Sequence, residues 1–319
     1  MRRIVGCAQG QMSQGGCGNL LALLDPDFTG RRYCLIREWA RIIIDRPSSS
    51  QLFVILIGYI DESYWPPERP QLFTLACTMS DIKGWQEINA AWKRCLNAKN
   101  RELTGQGRRT LSRYHASDCA NLKNEFEGWD VPEQIEFTKK LLAVFKRYWV
   151  NVVAYTMPME PFYAEFPECV DDPFPACYSM LKLLMLEIVD QIERARERFG
   201  NVKRTEIAFF YERNPYGGTL TNTFDSAKND PTFAEQWRFK TIAPVGWEDC
   251  IAIQPADLMA YDVMKDAKQQ MAGKPQRKTI EFLLSTGTFS GRARSFKPNA
   301  FALLRKLIDE GKAKHRASA

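Results

Sequence analysis

Histidine is nearly missing from this chain of 319 residues. Only His115 and His315 occur, and the nine cysteines contain no Cys-x-x-Cys pair. A zinc site built from Cys and His would lack ligands. Cysteines scattered from Cys7 to Cys250 do not read as a disulfide framework in a chain this long, so reduced thiols in a cytoplasm are expected. No apolar run approaches the roughly 18 residues that a membrane span requires, so no membrane partner is expected. Arg2 and Arg3 precede no apolar segment, and the first residues do not read as a secretory signal. There is no Gly-x-Ser-x-Gly elbow, no phosphate-cradling loop (Gly217 and Gly218 read as a flexible turn) and no internal repeat.

What is present is apolar material for a core, 45% hydrophobic and 12% aromatic residues, with a mildly basic balance. Lys and Arg number 44 against 38 Asp and Glu, a net charge of +6 that permits a polyanionic partner without demanding one. The stretch from Leu52 to Ser63 organises the rest. It is short, rich in β-branched and aromatic residues, and ends in Asp61 and Glu62, so it reads as a buried strand with acids at the rim of a sheet. Open sheets place their chemistry at such rims. Alternation puts Asp61 on the face of Tyr59 and Ser63 and turns Glu62 the other way.

The remaining pattern predicts a second strand over residues 71–79, antiparallel to the first, and an amphipathic helix from Asp81 to Ala98 through Ile82, Trp85, Ile88, Trp92 and Leu96. A basic, movable loop over 99–113 follows, with Lys99, Arg101, Arg108, Arg109 and Arg113. Further expectations are a helix after Pro132, strands over 149–157, 205–213 and 238–244, one long helix from Phe174 to Phe199, and a helix opening at Ile253. Residues 1–50 read as an atypical N-terminal extension, 51–290 as one mixed α/β domain with helices covering the sheet, and 291–319 as a basic tail with a short helix over 300–309.

Four acids stand at element boundaries: Asp61, Asp118, Glu212 and Asp257. Each has a structural explanation. Asp118 suits a turn, Glu212 can pair with Arg213 or Arg238, and Asp257 suits a first helical turn. Taken together they make a stronger case. Like charges about 4 Å apart repel by about 4 kcal/mol at an effective dielectric near 20. Converging acids must therefore protonate or hold cations, and carboxylates without Cys or His select magnesium or manganese over zinc. Two such cations form a clamp suited to phosphoryl transfer. His115, three residues before Asp118, reads either as a proton shuttle or phosphate ligand or as a loop histidine bonded to backbone. Tyr261 shares a helix face with Asp257 and reads as packing, whereas Asp262 faces elsewhere.

In chain order, Tyr59–Ser63 (Tyr-Ile-Asp-Glu-Ser), His115–Asp118 (His-Ala-Ser-Asp), Phe210–Glu212 and Ile253–Tyr261 resemble the prokaryotic family called domain of unknown function 3800. Its members are regarded as ribonuclease H-like, and the resemblance covers roughly residues 53–270. It implies a ribonuclease H-like mixed β-sheet flanked by helices, with Asp61 on the first strand and Asp257 on a late helix as metal ligands. The middle ligand positions would fall on Asp118 and Glu212. Two residues depart from the pattern: Tyr64 stands where Gly is common, and Glu212 where Asp is more usual. The expectation is a Mg2+- or Mn2+-dependent nuclease using Asp61, Asp118, Glu212 and Asp257 with His115, its basic loop and tail holding nucleic acid. The alternatives are a non-catalytic binding or regulatory module of a mobile element or anti-phage system on the same fold, and a hydrolase of small phosphorylated molecules.

Overall fold

Both faces of the strand Phe53–Trp65 are covered. Leu56 and Ile60 are buried on one face, Tyr59 and Asp61 on the other. A strand covered on both faces belongs inside a layered sheet. The computed structural model describes residues 24–25 and 53–318, apart from residues 67, 149, 200–203, 230–238, 286–288 and 298. In it seven strands form one sheet, named in chain order β1 (Leu24–Asp25), β2 (Phe53–Trp65), β3 (Leu72–Asp81), β4 (Val150–Pro158), β5 (Arg204–Glu212), β6 (Phe239–Val245) and β7 (Phe289–Phe296). Their order across the sheet is β1-β7-β4-β3-β2-β5-β6. β2, β3 and β4 form an antiparallel meander, β5 runs parallel to β2, β6 parallel to β5, and β7 parallel to β4.

The described helices are α1 (Ile82–Gly105), α2 (Ala116–Asn121), α3 (Val131–Arg147), α4 (Met159–Glu165), α5 (Phe174–Tyr178), α6 (Leu181–Phe199), α7 (Gly217–Lys228), α8 (Ile253–Met271), α9 (Lys278–Leu284) and α10 (Ala300–Ser318). α1, α3, α8 and α9 pack on the face that carries Tyr59 and Ala76. α4, α5, α6, α7 and the start of α10 pack on the face that carries Leu56, Ile60 and Phe209. The chain is therefore one mixed α/β domain with a mixed sheet between helical layers.

Local chemistry sets the helix starts. Asp81 accepts a hydrogen bond from the Gly84 N–H at 2.6 Å, and Asp130 one from the Glu133 N–H at 2.7 Å, satisfying amides that the first turn leaves free. The apolar stripe of α1 then faces the sheet, and Trp85 Nε1 donates to the Ile57 carbonyl at 2.8 Å, tying helix to strand.

Five features differ from the sequence reading. β2 does not end at its acids but runs on to Trp65, because β3 pairs with it as far as Trp65–Leu72. Residues 99–113 are not a movable basic loop. α1 continues to Gly105, Lys99 is buried between Glu102 and Glu133, each 2.7 Å away, and Arg108 grips both oxygens of Glu133 at 2.9 Å. The helix expected over 174–199 divides into α5 and α6, since Ser179 and Met180 bond to carbonyls three residues back. Gly217 opens α7, its backbone lying close under Tyr211. Residues 289–296, read within or beside a basic tail, form strand β7, and the helix after it extends to Ser318. Of the proposed N-terminal extension, Leu24–Asp25 pair with β7, and the rest lies outside the described residues. Among the described residues no helix is long and apolar enough to cross a membrane.

Gly58 faces Phe209 and Cys77 across the β2–β5 and β2–β3 ladders. A Cβ there would stand 2.7 Å from the Phe209 ring and 2.8 Å from Cys77 Sγ. Gly58→Ala is expected to lower the unfolding free energy by about 1–3 kcal/mol in urea denaturation, because a packed core resists added volume.

Candidate functional site

The β2–β5 ladder ends at Ile60–Tyr211, and the next residue on each strand is an acid, Asp61 and Glu212. Side chains of paired residues in a parallel ladder share a face. Tyr59 and Phe210, two residues earlier, stack there with ring centres 5.6 Å apart. Asp61 and Glu212 therefore emerge side by side on the face that α8 covers. Asp257 reaches the same place from the first turns of α8, a helix buried on every side from Ile253 to Met264. Asp61 is 5% exposed and Asp257 8% exposed.

Among the described residues neither acid has an ion-pair partner, although His115 and Arg113 act on Asp257 through space. Asp61 Oδ1 accepts one hydrogen bond, from the Glu62 N–H at 2.9 Å, and Asp257 Oδ2 one from the Ala116 N–H at 2.7 Å. Burial, and then the charges of Glu62, Asp257 and Glu212, push Asp61 well above the ordinary carboxylate range. Burial raises Asp257 to about 6, against the charge of His115 and the Ala116 N–H. Burial also raises Glu62 to about 7, against a hydrogen bond with Tyr178, with Glu212 and Asp257 adding to the rise.

Glu62 was missed by reading alternation alone. Its side chain does leave on the opposite face, where the Asn214 amide stands 3.4 and 3.5 Å from its two oxygens. Pairing between β2 and β5 has stopped by that point, so no further ladder rung separates the two faces, and the charges interact across the rim. The adjacency of Asp61 and Glu62 was the available signal.

His115 and Asp118 stand together rather than with the other acids' oxygens. His115 Nδ1 lies 2.8 Å from Asp118 Oδ2, a close contact that is not aligned as a hydrogen bond. His115 precedes α2 and acts electrostatically on Asp257. Of the two arginines expected beside Glu212, Arg238 lies outside the described residues, and no ion pair joins Glu212 to Arg213. The partner of Glu212 is Arg113, Nη1 to Oε1 at 3.2 Å. Tyr261 is buried in the packing under Lys265, and Asp262 pairs with Arg277 at 2.9 Å, away from this cluster. Gln254, also missed, links the elements: its Oε1 accepts from Trp92 Nε1 and from the Tyr114 N–H, both at 3.0 Å. That bond and the Ala116–Asp257 bond hold residues 114–116 against α8.

The donor chemistry suits a hard divalent cation. Asp61, Asp257, Glu212 and Glu62 offer only carboxylate oxygens, and a cation would relieve their mutual repulsion. Among the described residues, no three Asp, Glu, His or Cys side chains are grouped closely enough to hold one ion. Glu212, a further donor beside Asp61, is engaged by Arg113. The residues thus fit such an ion in the chemistry of their donors, and Arg113 already pairs with one of them. No family model matches this chain, and no curated protein matches it. The resemblance to domain of unknown function 3800 rests on the ordered residues alone.

The raised acids fix a pH dependence. A carboxyl whose folded pKa exceeds its unfolded value near 4 favours folding below pH 4 and loses that contribution as pH rises through 6 to 7. Without divalent cations, Asp61→Asn keeps an acceptor for the Glu62 N–H and removes one charge. The variant is expected to gain about 1–2 kcal/mol at pH 8 relative to pH 4, as measured by urea unfolding in chelator. A variant less stable than wild type at pH 8 would contradict mutual repulsion among these acids.

Proposed function

We propose that this chain is a ribonuclease H-like, divalent-cation-dependent phosphodiesterase acting on nucleic acid. The observation that carries the reading is the convergence of two buried, mutually repelling carboxylates, Asp61 and Asp257, at the end of the β2–β5 ladder beside Glu212. The first strand of the antiparallel meander carries Asp61 and a late helix carries Asp257, the two placements that the resemblance to domain of unknown function 3800 implies. Asp61, Asp257 and Glu212 would hold Mg2+ or Mn2+, with Glu62 close by. When bound, such an ion lowers the pKa of a coordinated water and offsets charge on phosphoryl oxygens. Asp118 contacts His115, and we assign it to that histidine in place of the metal. His115 stands half-exposed beside Asp257, placed to exchange a proton or to meet a phosphate.

The basic surface earlier attributed to 99–113 is reduced. Lys99, Arg108 and Arg113 are paired with acids, which leaves Arg101 and Arg109 as exposed cations of that stretch without an ion pair among the described residues. One observation favours the alternative, a non-catalytic binding module on the same fold: the absence of a closed three-donor group among the described residues.

Two measurements separate the readings. Saturating Mg2+ or Mn2+ is expected to raise the unfolding midpoint by about 5 °C, the effect of a ligand near 100 times its Kd. Asp61→Asn is expected to abolish that rise and to cut metal-dependent cleavage of a DNA or RNA substrate at least about a hundredfold. Full metal-dependent cleavage by Asp61→Asn refutes the proposal. Nucleic-acid binding without cleavage or metal response favours the module.

A further inference from the structure

Arg113 occupies a place that the proposed reaction leaves unexplained. Its guanidinium pairs with Glu212 at 3.2 Å and lies 4.5 Å from the ring centre of Trp247, which follows β6. The backbone around it is pinned on both sides. The Leu111 N–H and carbonyl bond to the Asn100 side chain, each at 2.8 Å. The Ser112 N–H and hydroxyl bond to Glu125 at 2.9 and 2.6 Å. The Tyr114 N–H bonds to Gln254, and the Ala116 N–H to Asp257. On this segment the backbone is therefore held, and the Arg113 side chain is the part left to rearrange. Both of its contacts are with half-exposed groups, so neither is strong enough to lock it.

We infer that Arg113 is an exchangeable counter-ion of the site. Without a divalent cation it neutralises Glu212, the acid next to Asp61. When a cation engages Glu212, the guanidinium is released. The flat face of Trp247 keeps it at the rim, where it grips a phosphodiester oxyanion of the substrate. Arginine suits both states: it is always charged, stacks on an aromatic ring, and offers a planar fork to carboxylate or phosphate. This inference rests on the metal-dependent reading above and assigns Arg113 a positioning and phosphate-binding role within it.

The test pairs two titrations on wild type, Arg113→Ala and Arg113→Lys. Calorimetry measures Mn2+ binding, and fluorescence anisotropy measures binding of a short labelled single-stranded oligonucleotide in Ca2+. Thermal unfolding establishes that each variant is folded. Arg113→Ala is expected to bind Mn2+ about two- to fivefold more tightly, because a competitor for Glu212 is gone, and the oligonucleotide several-fold more weakly. Arg113→Lys retains a competing charge but loses the stacked fork. It is expected to bind Mn2+ like wild type and the oligonucleotide more weakly. A purely structural arginine would not move the two affinities in opposite directions. If wild type binds Mn2+ and Arg113→Ala binds it equally or less well, the exchange is overturned while the metal reading stands. If wild type binds no Mn2+, both are overturned.

Discussion

Negative charge confined where β2 and β5 stop pairing is the constraint on which the site depends. Asp61 and Glu212 are brought together by strand register, which core packing fixes. A one-residue slip of β5 would send Glu212 to the opposite face and bury Tyr211 where the acid now stands. The stacked Tyr59 and Phe210 on one face, and Leu56, Phe209 and Ile207 on the other, hold that register. The hydrophobic core thus supplies the rigidity that keeps like charges from moving apart.

α8 adds the third side. Amphipathic helices normally present one face to a core, but α8 is covered all round from Ile253 to Met264, and Asp257, Asp262 and Asp266 are among its buried residues. Two of the three are bound by Arg277, although Asp262 Oδ2 has no hydrogen-bond partner among the described residues. Asp262 meets Arg277, and Asp266 accepts from the Arg277 N–H and the Gln270 amide, both at 2.6 Å. Among the described residues, Asp257 differs in having one backbone donor and no ion-pair partner, with His115 and Arg113 acting on it only through space. That contrast within one helix separates a structural acid from a candidate site acid: buried charges are paired unless function requires otherwise.

The opposite helical layer shows how the fold treats polar groups it does not use at a rim. Glu187 of α6 is buried beside Arg294 of β7 at 3.1 Å, and Tyr155 donates to it from β4. Gln191 and Asn151 extend this network. Here every element that brings in charge also brings its complement. At the β2–β5 rim Arg113 pairs directly with Glu212 and acts on Asp257 only through space.

Much of the fold was legible in local pattern. The alternation of residues 53–65 and 72–81, the stripe of α1 and the acid-capped helix starts are properties of neighbouring residues, set by side-chain periodicity and capping chemistry. The positions of Glu212 at the end of β5 and Asp257 near the start of α8 were legible for the same reason, whereas Asp61 lies inside β2, where only the β2–β5 ladder has stopped. Which of them meet was decided by tertiary structure. Register joined Asp61 to Glu212, helix packing brought in Asp257, and the end of the β2–β5 ladder exposed Glu62 to both. Asp118 was drawn to His115, and Lys99, Arg108 and Arg113 were drawn to Glu133 and Glu212, partners distant in sequence. Composition and spacing record which charges a chain carries. Only the folded contacts set which are neutralised, because Coulomb interactions depend on distances through space and on the dielectric around them.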